Sequence, residues 1–175
     1  MIPRRPSRKH DNGPRANPRH RAKDCRSQRG KGLLALITYL TDIEFGPGAR
    51  AEIAGRLERL SVTRPLLVSD HGVAAAGLIA RILPHLPQDT PSFLDVPSNP
   101  TEEAALAALD LYRAEGCDGI VALGGGSPID LAKAVALLAS HDGPLAQFAL
   151  IEGGLPRITA SVAPVIAVPT TAGTG

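Results

Sequence analysis

The chain has no tryptophan, and aromatic residues make up only 3% of it. A core therefore has to be built from Ala, Val, Leu and Ile, a palette that suits a buried parallel sheet under Ala/Leu-rich helices. Cysteine is nearly absent as well. Cys25 and Cys117 are the only two, which excludes a disulfide framework, and there is no Cys-x-x-Cys spacing. A reducing, cytoplasmic setting is expected, with Cys117 as a small buried residue beside a strand. No apolar run approaches the ~18 residues of a membrane span, so no membrane partner is expected. The short run Leu33–Ile37 follows a long basic stretch and leads into Thr41-Asp42 without a small-residue cleavage site, unlike a secretory signal.

The modest net charge of +2 averages two unlike segments. Of the 19 Lys and Arg, 11 fall within residues 1–32, against two acids, Asp11 and Asp24. Residues 33–175 keep 8 basic and 15 acidic residues. The 1–32 segment also carries Pro3, Pro6, Pro14 and Pro18 and little to bury, and reads as a disordered basic extension. Its charge alone would permit nucleic-acid binding, but it has no aromatic residue and no repeated basic motif. Residues 33–175 read as one α/β domain of ordinary size.

Within that domain short apolar runs alternate with helical ones. Strands are expected at Ile37–Phe45, Pro65–Ser69, Ser92–Val96, Gly119–Leu123 and Val165–Val168. Helices are expected over 49–60, over 73–83 (stopped by Pro84), from Thr101 to Glu115, and from Ser127 to Ser140. Thr101 is placed to cap its helix, with Glu102 and Glu103 where the dipole favours acids. Alternation of this kind implies βαβ units and a doubly wound, mostly parallel sheet.

The segment Gly124-Gly125-Gly126-Ser127-Pro128-Ile129-Asp130 joins a strand to a helix. Glycine allows a ligand close to the main chain. Ser127 is expected as the helix cap, Pro128 as the first helical residue, and Asp130 as a side chain reaching back to the cap. A helix N-terminus at the carboxyl end of a buried strand can bind phosphate. The bare alternative is a tight turn with no ligand. The segment lacks the Gly-Lys-Ser/Thr of a Walker loop, and it comes too late in the chain for the usual Rossmann fingerprint. Asp70, which ends the run Leu66-Leu67-Val68, is a candidate acceptor for ribose hydroxyls. A carboxylate there would repel a 2′-phosphate, favouring NAD over NADP. Its plain alternative is a helix cap or solvated turn acid.

Four stretches in order carry a resemblance: Phe45-Gly46-Pro47-Gly48-Ala49, Pro97-Ser98-Asn99-Pro100-Thr101, Leu123–Lys133, and Pro169-Thr170-Thr171-Ala172-Gly173-Thr174-Gly175. Together they resemble the iron-containing (group III) alcohol dehydrogenase family over residues 37–175. The resemblance implies a Rossmann-like dinucleotide-binding domain followed by an all-helical domain, with iron or sometimes zinc between them. It implies that Asp70 contacts the adenosine ribose, that Asn99 lies beside the cofactor, and that Gly124, Gly125, Gly126 and Ser127 hold the pyrophosphate. Asp130 would lie near the nicotinamide end. Thr170, Thr171 and Thr174 would line the adenine and ribose side. Lys133 is either a site residue or a solvated charge.

In that family the metal is held by an Asp and three His that follow the second glycine-rich turn. The five histidines here have no metal-ligand spacing, so neither metal ligands nor catalytic residues are expected within 1–175. The chain is thus expected to be the cofactor-binding half of an NAD-dependent, metal-dependent dehydrogenase, truncated before the helical domain and inactive alone. A small alcohol or aldehyde would be its substrate only with that domain supplied. Homo-oligomerisation is compatible with this reading. A non-catalytic nucleotide-binding module is the alternative.

Overall fold

The computed structural model describes residues 35–38, 41–159 and 161–172. The basic extension, Cys25, His10, His20 and Thr174 lie outside the described residues, so the expectations placed on them are not addressed. The described residues belong to one compact unit, Leu34–Gly175.

Four parallel strands form the central sheet: β3 (Pro65–Val68), β4 (Ser92–Phe93), β5 (Gly119–Gly124) and β6 (Val165–Pro169), in the order β4-β3-β5-β6. β5 is buried throughout because it has a strand on either side and helices above and below. Side chains alternate between faces along a strand. Leu66 and Val68 of β3 and Ile120 and Ala122 of β5 therefore meet α4 (Glu102–Ala114) and α5 (Gly126–Leu138), through Ala105, Ala108, Leu131 and Val135. Leu67, Val121 and Leu123 face the other way, onto Ile53 and Leu57 of α1 (Ile53–Arg59) and Ile82 of α3 (Leu78–Ile82). Helices on both faces define the doubly wound α/β class. Full burial of a side chain such as Leu66 or Leu67 contributes about 1.5–3 kcal/mol, so the small aliphatic palette suffices for two cores.

Several expected elements form as read. Thr101 caps α4, its Oγ1 accepting from Ala104 N at 3.3 Å. Hydrogen bonding to the backbone and Thr101 holds the Glu103 carboxyl below its ordinary range. Others differ. The stretch 37–45 is not one strand but a hairpin of β1 (Ala35–Thr38) and β2 (Asp42–Phe45), an antiparallel pair separate from the main sheet. Arg56 of α1 ties β2 down, Nε to Glu44 at 2.5 Å and Nη1 to Asp42 at 2.8 Å. Burial works against the guanidinium charge, but the two carboxylates outweigh it and raise its affinity for the proton.

The helix expected over 73–83 is split. α2 (His71–Ala75) ends before Gly77, whose φ of +72° interrupts the helix, and α3 follows. Pro84 does not stop α3; it sits inside a 3-10 turn, Leu83–His85, that extends it. The strand expected over 92–96 shortens to two residues, followed by a bridge between Asp70 and Asp95.

Candidate functional site

The chain leaves β3 toward β4 on one side and leaves β5 toward β6 on the other. The strand order therefore reverses between β3 and β5, and doubly wound sheets bind ligands outside the carboxyl ends of the strands at such a switch point. A cleft of about 450 Å³ opens there, lined by Asp70, His71 and Gly72 from one side, Val96, Pro97 and Ser98 from another, and Gly125–Pro128 from a third.

Asp70 is the N-cap of α2. Its Oδ1 accepts from Val73 N at 2.8 Å, which fixes the carboxylate and leaves Oδ2 without a partner among the described residues. The plain reading of Asp70 as a helix cap and its reading as a ligand-facing acid are thus compatible, since each uses a different oxygen.

Opposite Asp70 stands the start of α5. Gly125, not Ser127, is its N-cap, and no side chain caps it. The first-turn N–H groups have no helical acceptors and face outward with the positive end of the helix dipole. Ser127 is drawn off instead by a distant group, its Oγ donating to Ser98 O at 2.7 Å. That bond straps the Pro97–Pro100 loop to the helix. Asp130 does not reach back to the cap either. It pairs with Lys133 Nζ at 3.2 Å, both side chains well exposed, which makes Lys133 a solvated charge.

The glycines play separate parts. Gly124 is buried at φ +153°, and a β-carbon on it would lie 2.5 Å from Pro128 Cγ. A β-carbon on Gly126 would meet nothing within 4 Å and would project into open space at the helix start. On the far side, Thr170 N donates to Gly124 O at 2.9 Å, and Thr171 Oγ1 lies 3.5 Å from where a Gly125 β-carbon would be.

The structure therefore brings Asp70, Gly125, Gly126 and Ser127 around one cleft and sets Thr170 and Thr171 against its glycine wall. Asn99 is exposed in the adjoining loop, one residue beyond the lining. Asp130 lies outside the lining, one turn along α5. Sequence reasoning passed over Ser69, which is fully buried and donates from Oγ to Leu123 O at 2.7 Å. A single polar residue closing an apolar run was the available signal. His71, expected in a surface or capping role, is exposed at the cleft edge with Nε2 2.9 Å from Asp95 Oδ1.

An uncapped helix start, an open glycine cradle and a carboxylate with a free oxygen fit a dinucleotide's diphosphate and ribose. Among the described residues no group of three or more His, Cys, Asp or Glu could hold a metal ion. Burial raises the Cys117 thiol above its ordinary range, which makes it a poor nucleophile. Among the described residues no helix is long and apolar enough to cross a membrane.

A 4-hydroxybutyrate dehydrogenase from Cupriavidus necator is 50% identical over 143 residues, covering 81% of this chain and 37% of its own length. A crystal structure of 1,3-propanediol oxidoreductase superposes with a TM-score of 0.66 at 34% identity, covering 74% of this chain and 34% of that one. A sulfoacetaldehyde reductase from Bifidobacterium kashiwanohense, solved in complex with NAD+, gives a TM-score of 0.64 at 29% identity, again covering 74% of this chain and 34% of that one. The chain thus spans about a third of the length of the relatives it matches. The profile described as iron-containing alcohol dehydrogenase matches residues 41–175, nearly everything after the basic extension, and the chain belongs to that family.

Proposed function

We propose that this chain supplies the nicotinamide-dinucleotide seat of an alcohol–aldehyde oxidoreductase and takes NAD in preference to NADP. The observation that carries the reading is the pairing of Asp70 with the uncapped start of α5 across one cleft at the switch point. The diphosphate would accept hydrogen bonds from the N–H groups of Gly125, Gly126 and Ser127, with Gly126 leaving room for its approach. The free Oδ2 of Asp70 would accept from the adenosine ribose hydroxyls, and its charge would repel a 2′-phosphate. Asn99 would flank the cofactor from the strapped loop. Thr170 and Thr171 would close the opposite side, and Asp130 would stand toward the nicotinamide end.

The bound nicotinamide supplies hydride transfer; the protein's share is placement and electrostatics. Among the described residues no group of three or more His, Cys, Asp or Glu is placed to hold iron or zinc. Two relatives are named for 4-hydroxybutyrate and 1,3-propanediol, both primary alcohols, which makes a primary alcohol or its aldehyde the proposed hydride partner. A reducing cytoplasmic setting accords with the half-buried free thiol of Cys117.

Titration of the chain with NADH and NADPH, followed by nicotinamide fluorescence, tests this. Saturable binding that favours NADH is expected. Absence of saturation, or equal affinity for NADPH, contradicts it.

A further inference from the structure

We infer that Ser69 is a positioning residue for the dinucleotide cleft: its hydroxyl, bonded across the switch point to the Leu123 carbonyl, fixes the separation between the Asp70 carboxylate and the start of α5. This rests on the dinucleotide reading above.

The pairing of β3 with β5 runs from Pro65 opposite Gly119 to Val68 opposite Ala122 and stops there. Beyond it the two chains part, β3 toward α2 and β5 onward beside β6 to Gly124. The Ser69 backbone N–H is turned the other way, donating to Phe93 O at 3.0 Å on the β4 side. Beyond that last pair no main-chain group of β3 remains to hold the Leu123 carbonyl. The Ser69 side chain does so, at 2.7 Å and with no exposed surface. One residue thus ties three strand ends together, its backbone to β4 and its hydroxyl to β5.

What the bond joins gives it a functional bearing. Asp70 follows Ser69 directly, and Gly124 follows Leu123. The bond therefore lies one residue from Asp70 on one wall and two from Gly125 on the other. Asp70 is held locally by its cap to Val73 N, and α5 by Pro128 against Gly124. Each wall is rigid by itself, and the Ser69 hydroxyl sets the gap between them. A dinucleotide has to satisfy both walls at once, so a change in that gap weakens binding without altering any contact group.

The test is a double-mutant cycle on NADH affinity, with Ser69→Ala and Asp70→Asn made singly and together, and with Ser69→Thr as the conservative variant. If Ser69 acts through the placement of Asp70, Ser69→Ala weakens NADH binding about tenfold in the native background and less than about twofold in the Asp70→Asn background. Ser69→Thr, which keeps the hydroxyl, restores affinity. Ser69→Cys fills the same space with a weak donor and takes the place of Ser69→Ala should that variant not fold. Equal weakening in both backgrounds overturns the inference, because the hydroxyl would then serve stability alone. Native-like affinity in Ser69→Ala also overturns it while leaving the dinucleotide reading intact. Failure of the native chain to bind NADH overturns both.

Discussion

The ring of Pro128 occupies the space a side chain on Gly124 would need, with Cγ 2.5 Å from the position of the missing β-carbon. Two residues four apart thereby lock the last residue of β5 against the first turn of α5. Gly124→Ala meets both this clash and a φ of +153°. A loss of about 2–4 kcal/mol is expected, read as a lower midpoint in chemical denaturation.

Gly126 has the opposite standing. A methyl group there meets nothing in the protein, and Ala is a better helix former than Gly by up to about 1 kcal/mol. Gly126→Ala is expected to leave the melting temperature unchanged or raised, while weakening NADH binding because the methyl group stands where the diphosphate approaches. Tight NADH binding by Gly126→Ala would place the phosphates elsewhere.

Asp118, at the end of the sheet away from the cleft, separates stability from binding. Burial alone would push its carboxyl up. Thr63 Oγ1 at 2.7 Å, Thr63 N at 2.8 Å and Arg64 N at 2.8 Å outweigh this and hold it below the ordinary carboxylate range. A lowered carboxyl stabilises the fold at pH above its unfolded value, and the contribution is lost as pH falls through the folded value. Native protein is expected to exceed Asp118→Asn by about 1–3 kcal/mol at pH 7. The gap should narrow below about pH 4, as followed by urea denaturation at several pH values. NADH affinity at pH 7 should be the same in both.

His141 is fixed in one tautomer by its neighbours. Thr159 N donates to its Nε2 at 2.9 Å, so that nitrogen carries a lone pair, and Nδ1–H donates to Leu137 O at 3.0 Å. The ring also stands edge-on to Phe148, with centroids 5.6 Å apart. Nitrogen chemical shifts at pH 8 are expected to report the Nδ1–H form. A dominant Nε2–H form would show that the segment from 142 to 159 does not dock on α5 in this way.

Much of this was legible in the residues. The wholly apolar runs 66–68 and 120–123 announced the buried parallel strands, and Thr101 followed by two glutamates announced the start of α4. The glycine turn and Asp70 pointed to the cleft because both end such strands. What escaped depended on distant partners or on missing punctuation. Ser127 looked like a cap because a serine beside a helix start ordinarily is one. Its hydroxyl instead goes to Ser98, 29 positions away. Ser69 bonds Leu123 across 54 positions, and no local pattern encodes that. The strand expected over 37–45 conceals a hairpin because Tyr39-Leu40-Thr41 lacks the Gly, Pro, Asn or Asp that usually marks a turn.

The proposed dinucleotide seat lies at the switch point between β3 and β5. Backbone amide shifts recorded during titration with NAD+ test it most directly, because a second groove of similar size, about 440 Å³, is lined by Leu57, Val62, His85 and Leu86 and serves as an internal control. Asp70, Gly72, Gly125, Gly126 and Ser127 are expected to shift together along one saturation curve while Val62 and Leu86 stay still. Shifts confined to the second groove, or no saturable shift at Gly125 to Ser127, would contradict it.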